Sequence, residues 1–133
     1  GARNRTLDHD QAALDVGAND LEVSKKFYDA IIGATGGKPG FTDPNGRVVY
    51  AHNNGVLLVT KPIDGQPATH ANGATLGFAM SSPEQAKAWH DAGVAAGGAT
   101  CEDPPGERPG SGMYLAYLRD PSGNKLCGLH RLG

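Results

Sequence analysis

The chain has 133 residues, which is enough to bury one hydrophobic core and predicts a single domain. It carries 12 Lys and Arg against 14 Asp and Glu, with no basic run, and this composition argues against a nucleic-acid-binding surface. No apolar stretch approaches the roughly 18 residues of a membrane span, and two cysteines are too few for a disulfide framework, so we expect a cytoplasmic protein with reduced thiols.

The first half of the chain predicts a strand, a helix and a three-stranded meander. In the strand that ends at Val16, Leu14 and Val16 share one face while Ala13 and Asp15 share the other. Asp20 or Asn19 is a good N-cap for the next helix, and Gly33 can end it. One face of this helix carries Leu21, Ser24, Phe27, Tyr28, Ile31 and Ile32, which predicts that it covers a sheet. Runs at 41, 47–51 and 56–60, separated by turn residues, complete the meander.

The second half repeats this order after a connection at about 61–73 that has no periodicity. Residues 75–80 alternate as a strand does, and Ser82-Pro-Glu-Gln85 combines an N-cap, a first-turn proline and a capping-box glutamine. The buried face of the resulting helix is predicted to be Ala86, Trp89, His90 and Val94. Residues 100–102 can form a short strand, and we expect residues 103–112 to be a loop rich in proline and glycine.

Residues 114–130 predict a β-hairpin around the turn Asp120-Pro-Ser-Gly123. Tyr117 and Cys127 are symmetric about residue 122, so we expect them to pair across the hairpin and to face the same side. His130 then lies on the opposite face of its strand.

The two halves align by simple differences. The helix starts differ by 82 − 20 = 62, which takes Ala13 to Thr75; the last turns differ by 123 − 55 = 68, which takes Val59 to Cys127. Order and spacing therefore predict a duplicated β-α-β-β-β unit, with modules at about 8–62 and 73–132.

Two signatures in this order, Asp20-Leu-x-x-Ser-x-x-Phe-Tyr28 and Asp120-Pro-x-Gly-Asn124, resemble those of the vicinal oxygen chelate superfamily. That superfamily includes glyoxalase I, extradiol dioxygenases, fosfomycin resistance enzymes and bleomycin resistance proteins. The resemblance implies an α+β fold in which two βαβββ modules form a cupped mixed sheet with helices on the outer face. It also implies a homodimer and a site in the concave face.

Metal-dependent members of that superfamily place ligands on the first and last strand of each module. The resemblance puts these positions at Ala13, Thr75, Cys127 and either Leu57 or Val59. A divalent ion needs three or four imidazole or carboxylate donors at about 2.0–2.3 Å, so we expect no metal and no other cofactor at these positions. His9, Gln11 and Asp15 share the face of Ala13, and a rebuilt site that uses His9 or Asp15 remains an alternative.

If Cys127 faces the cup, Met113, Leu115 and Tyr117 do so as well. Together with Ala13, Asp15, Val59, Thr75 and Arg108 they would form a mostly apolar pocket that suits a small organic ligand. The same residues could instead fill the core. Cys127 is either a nucleophile or a buried inert thiol, and Arg108 either clamps a carboxylate or phosphate or is a solvated loop charge.

These observations support three hypotheses. The first is a metal-free protein that binds a small molecule, either for sequestration or for metal-independent catalysis. The second is a lyase, isomerase or dioxygenase of glyoxalase type with a displaced metal site. The third is an interaction domain with a filled cup. The sequence leaves the ligand and the presence of catalysis open.

Overall fold

The computed structural model describes residues 12–133, which form two α-helices and nine β-strands. The first module contains β1 (Ala12–Gly17), α1 (Leu21–Gly33), β2 (Phe41–Thr42), β3 (Val48–His52) and β4 (Gly55–Thr60). The second contains β5 (Leu76–Ala79), α2 (Pro83–Ala95), β6 (Ala99–Thr100), β7 (Gly106–Arg108), β8 (Met113–Arg119) and β9 (Lys125–Arg131). The predicted positions at His9 and Gln11 lie outside the described residues.

Each module builds one mixed sheet. The first sheet has the strand order β1-β4-β3-β2, with β1 parallel to β4. The second has the order β5-β9-β8-β6, with β5 parallel to β9, and β7 adds to β8. The predicted α+β class and the two βαβββ modules with helices on one face are confirmed. The predicted loop at 103–112 is wrong in part, because Gly106–Arg108 pairs with Met113–Leu115 as a short strand.

Both helices begin at the predicted caps. Asp20 Oδ1 accepts from the Val23 amide at 3.1 Å, and Ser82 Oγ accepts from the Gln85 amide at 3.0 Å. Gln85 Oε1 accepts in return from the amide of Ser81, the residue before the N-cap, at 2.7 Å, so this reciprocal bond lies one residue outside a standard capping box. The two N-cap bonds satisfy backbone donors that the first turn of a helix leaves without an intrahelical partner.

The core lies between the sheets and the helices, and the two helices pack against each other. The predicted buried face of α1 is confirmed for its fully buried members: Ser24, Phe27, Tyr28, Ile31 and Ile32. In α2 the prediction is right for Ala86, Trp89 and His90 but wrong for Val94, which is 44% exposed. Gly93 takes the inward position instead, since the side chains of Leu118 and Ile31 leave no room there for a β-carbon.

The turn Asp120-Pro-Ser-Gly123 joins the second module to the first. Asp120 is 4% exposed and accepts from the Tyr28 hydroxyl at 2.6 Å, from the amides of Ser122 and Asn124, and from Asn124 Nδ2. Asn124 Nδ2 also donates to the Gly17 carbonyl at the end of β1, at 2.9 Å. Burial and the nearby Asp120 raise the pKa of Tyr28 well above its ordinary value, so this residue remains a hydrogen-bond donor.

Alternation along the strands gives each sheet a second face, directed away from the helices, which we call the open face. In the first sheet it carries Ala13, Asp15, Val49, Ala51, Val56 and Leu58. In the second sheet it carries Met113, Leu115, Tyr117, Arg119, Lys125, Cys127, Leu129 and Arg131. Between residues 12 and 133 we find no helix with the length and apolarity needed to cross a membrane.

Candidate functional site

The open face of the second sheet brings together most of the predicted pocket. The register of β8 and β9 pairs Tyr117 with Cys127, Leu115 with Leu129 and Met113 with Arg131. The predicted pairing of Tyr117 with Cys127 is therefore confirmed. Gly128, the next residue, faces α2, because a β-carbon there would lie 2.9 Å from a ring carbon of Trp89. Cys127 consequently points to the open face.

The structure corrects the position of Val59. Val59 is fully buried among the residues that pack against the helices, and Leu57 lies on the same face at 7% exposure. Aligning the last turns of the two modules made Val59 the equivalent of Cys127. The strands themselves align with a shift that differs by one residue, which makes Leu58 the equivalent of Cys127. Leu58, which pairs with Val49 and Asp15, occupies the open face at this level. A slip of one residue exchanges the two faces of a strand.

The predicted positions on the first strand of each module are exposed. Ala13 and Asp15 lie on the open face of β1 beside Val56 and Leu58. Thr75 lies just before β5 and is exposed. The residue of β5 that pairs with Cys127 is Gly77, which adds no side chain to the site.

Tyr117 stands at the centre of the open face of the second sheet, between two cations. The Arg108 guanidinium carbon lies 5.8 Å from the centre of the Tyr117 ring, and Lys125 Nζ lies 5.1 Å from it. Such distances permit a favourable cation-π contact. Burial and the neighbouring Cys127 raise the pKa of Tyr117, so its hydroxyl stays protonated at neutral pH and can donate a hydrogen bond.

Arg108 is held over the sheet by its own loop. Its Nη1 donates to the carbonyls of Pro104 at 2.8 Å and Gly106 at 3.2 Å, and its Nη2 donates to the carbonyl of Asp103 at 3.0 Å. The guanidinium thus has a fixed position beside Tyr117, whereas a solvated loop charge would have none. No salt bridge joins Arg108 to a carboxylate within the described part of the chain.

Cys127 has the environment of an inert thiol. It is 6% exposed, and burial raises its pKa, although a hydrogen bond from Tyr117 and the charge of Arg108 act in the opposite direction. A nucleophilic cysteine needs a lowered pKa or an adjacent base. His130 is no such base, because its Nδ1 lies 3.0 Å from the Met80 carbonyl on the helix side of the sheet. His90 is likewise part of the packing, with its Nε2 2.9 Å from Thr100 Oγ1.

Sequence reasoning missed Lys125 and Glu102, whose side chains form a salt bridge at one end of this face. Glu102 has a φ of 58°, a left-handed conformation that is uncommon for a residue other than glycine. The alternation from Lys125 to Cys127 was visible in the sequence and could have placed Lys125 beside Tyr117. Nothing in the sequence pattern pointed to Glu102.

The described residues do not fit the metal site of metal-dependent relatives. On the open faces, Cys127 lies level with Gly77, and Asp15 lies level with Leu58. These four positions supply one thiol and one carboxylate. Within residues 12–133 no three His, Cys, Asp or Glu side chains come together closely enough to hold an ion. A divalent ion bound by imidazole and carboxylate groups requires more donors than this set contains.

A cavity of about 330 Å³ lies elsewhere, between the first sheet and β5 near the end of α1. It is lined mostly by apolar side chains: Leu14, Ile32, Tyr50, Val56, Leu57, Phe78 and Met80 among them. None of the predicted pocket residues belongs to the described residues that line it. The cavity therefore shares Val56 with the open face of the first sheet but is separate from the predicted pocket on the second sheet.

Comparisons with known proteins agree with the geometry. The family model of the Glyoxalase/Bleomycin resistance protein/Dioxygenase superfamily matches residues 8–127. A glyoxalase/bleomycin resistance protein from Albidiferax ferrireducens is 58% identical, with a TM-score of 0.84 over 90% of this chain and 97% of that one. A putative glyoxalase from Bacillus halodurans is 19% identical, with a TM-score of 0.72 over 91% of this chain and 95% of that one. A lactoylglutathione lyase from Agrobacterium tumefaciens is also 19% identical, with a TM-score of 0.66 over 93% of this chain and 95% of that one. The last two show the fold alone. No match was found among curated proteins.

Proposed function

Because this chain belongs to the Glyoxalase/Bleomycin resistance protein/Dioxygenase superfamily, we propose that it binds a small organic molecule on the open face without the metal ion of its metal-dependent relatives. The observation that carries the proposal is the arrangement on β8 and β9. An apolar surface formed by Met113, Leu115 and Leu129 adjoins Tyr117 and the oriented guanidinium of Arg108. Mostly apolar walls with a few placed polar groups are typical of ligand sites.

The first sheet supports the same function. Its open face carries Val49, Ala51, Val56 and Leu58, with Asp15 as the one ionisable residue among the open-face positions described for that sheet. A cover over these apolar side chains would be favourable, by about 25 cal/mol for each Å² of apolar surface that it buries. A ligand, together with a second copy of the chain in the homodimer that we expect, would provide that cover.

Metal analysis tests the metal-free part of this proposal. We expect protein purified without added metal or chelator to contain no stoichiometric ion, and its thermal stability to stay constant during titration with Zn²⁺, Mn²⁺, Ni²⁺ and Fe²⁺. About one equivalent of bound ion, with a stabilisation that grows with ion concentration as mass action requires, would overturn it and favour the glyoxalase-type metalloenzyme.

Ligand screening tests the binding part. A set of small aromatic and acidic compounds is titrated into ¹⁵N-labelled protein, and we expect shifted amides on β8 and β9. The variant Leu115→Trp places a large side chain on the same face and should remove the response. The matched variant Val94→Trp adds the same side chain at an exposed position of α2 and should leave it intact. A set of compounds that shifts no open-face amide would count against binding there.

A further inference from the structure

The charges on the open face of the second sheet are strongly unbalanced. Strand alternation places Arg119, Lys125 and Arg131 on this face, and Arg108 reaches over it from β7. The described carboxylate that pairs with one of these cations is Glu102, on Lys125. Glu107 pairs in register with Tyr114, so its side chain belongs to the other face. The face therefore carries excess positive charge, although the whole chain has a net charge of −2.

Arg108 keeps unused donors at the centre of this charge. A guanidinium has five N–H donors, and three of them are used by the carbonyls of Asp103, Pro104 and Gly106. The other two have no acceptor among residues 12–133. Carbonyl oxygens orient the group but leave its positive charge without a counterion.

The two remaining donors match the two oxygens of a carboxylate, because guanidinium and carboxylate groups form paired hydrogen bonds in one plane. The Tyr117 ring lies beside the guanidinium, 5.8 Å from its central carbon, and gives the site an aromatic surface next to these donors. Next to this polar group along β8 lie Leu115 and Met113, which offer an apolar surface of the kind that covers a hydrocarbon or aromatic body.

We propose that the ligand of the open face is an organic carboxylate, with its anionic group on Arg108 beside Tyr117 and its apolar body along Leu115, Met113 and Leu129. This inference depends on the proposed function, since it names the chemical class that the same face binds. It also gives a role to β7, the short strand that carries Arg108 across the sheet.

Matched pairs of an acid and its amide test the proposal: benzoate with benzamide, and hexanoate with hexanamide. Each pair has nearly the same shape and differs in charge. We expect each acid to bind about tenfold more tightly than its amide by chemical-shift titration, as one charge-assisted hydrogen bond provides. Raising the salt concentration should reduce this preference.

Variants of Arg108 assign the preference to this residue. Arg108→Met retains an apolar stem and should reduce the affinity for the acid to that for the amide, while Arg108→Lys should keep part of the preference. Lys26→Met removes an exposed cation from α1 and should change neither affinity. Thermal unfolding of each variant establishes that it is folded.

Each of the other outcomes overturns the inference. Equal affinities for acid and amide would show binding without a need for charge, and the proposed function would survive. A preference that persists in Arg108→Met would assign the charge recognition to another residue. An equal loss of acid and amide binding in that variant would mean that Arg108 only shapes its loop. Failure of both probes in the parent protein, with no shift on the open face, would instead count against the proposed function itself.

Discussion

The two modules carry the same helical pattern but use it differently. A shift of 62 takes Lys25 and Asp29 of α1 to Lys87 and Asp91 of α2, and both pairs form salt bridges, at 2.8 and 2.7 Å. Asp29 also accepts from the Gly40 amide and the Tyr50 hydroxyl, so it ties α1 to the first sheet. Asp91 is 57% exposed at its side chain. The same sequence feature is part of the packing in one module and a surface pair in the other.

A second equivalent pair lies where the helices meet. The shift of 62 takes Ile31 to Gly93, and these two residues face each other: a β-carbon on Gly93 would lie 3.0 Å from Ile31 Cγ2. Two isoleucines could not both occupy this space, so the modules contribute one large and one small residue. In this chain the contact between the repeated units is therefore asymmetric, as close packing of Ile31 demands.

The two Asp-Pro-x-Gly turns make the same point. Asp43 caps the turn between β2 and β3 through the amides of Asn45 and Arg47. Asp120 caps the turn between β8 and β9 and also reaches Tyr28 on the other module. The Asp-Pro-x-Gly motif forms the turn in both cases. The residues packed around each turn determine how much its aspartate contributes to the free energy of unfolding.

The largest effect that we predict separates these two aspartates. Asp120→Ala should lower the free energy of unfolding by about 3 kcal/mol, because it leaves the buried Tyr28 hydroxyl and Asn124 amide without an acceptor. Asp43→Ala should cause a smaller loss, since the Asn45 amide and the Arg47 side chain that lose their acceptor are exposed enough to bind water. Urea unfolding of both variants measures the difference. Equal losses would show that Asp120 acts only through its own turn.

The next effect concerns the helix contact. Gly93→Ala should destabilise the protein by about 1 to 3 kcal/mol, because its methyl group would lie 2.5 Å from Leu118 Cδ1. The matched variant Gly33→Ala adds a methyl group in α1 with no atom within 4 Å, and it should stabilise the helix by up to about 1 kcal/mol. The midpoints of urea unfolding should therefore move in opposite directions. A stabilising Gly93→Ala would show that the contact is loose.

Periodicity and caps predicted the fold because each is a short-range property. The N-cap bond between Ser82 and Gln85 and the inward face of α1 depend on residues three or four positions apart. The predictions failed where contacts between distant segments determine which residues are buried. Val94 was predicted to be buried, but the helix crossing at Ile31 leaves room for Gly93 alone.

The candidate site was predicted only in part, for the same reason. Alternation within the hairpin placed Tyr117 and Cys127 together, but alignment across modules put Val59 on the wrong face by one residue. The contacts of Arg108 with three carbonyls follow from the path of residues 103–108, which no spacing rule describes. Side chains that depend on loop geometry need the structure.

The smallest effect that we predict depends on pH and returns to the equivalent salt bridges. Burial acts to raise the pKa of Asp29, but hydrogen bonds from Lys25, Gly40 and Tyr50 outweigh it and hold this pKa below its ordinary value. The stabilisation from Asp29 is therefore complete above the pKa of the unfolded chain, about 3.9, and is lost as the pH falls through the lower pKa of the folded state.

Asp29→Asn should cost about 1 kcal/mol at pH 7 through its weakened hydrogen bonds, and should make the fall of stability toward low pH shallower. Asp91→Asn is the matched control. The pKa of Asp91 is also lowered by Lys87 and His90, but water screens this exposed pair, so its unfolding free energy should parallel that of the parent protein. Urea unfolding from pH 7 to about pH 2 compares the three proteins across the range in which aspartate titrates. If Asp91→Asn flattened the profile more than Asp29→Asn, the surface pair would be the stronger one, and the contacts with Gly40 and Tyr50 would not be what distinguishes the two modules.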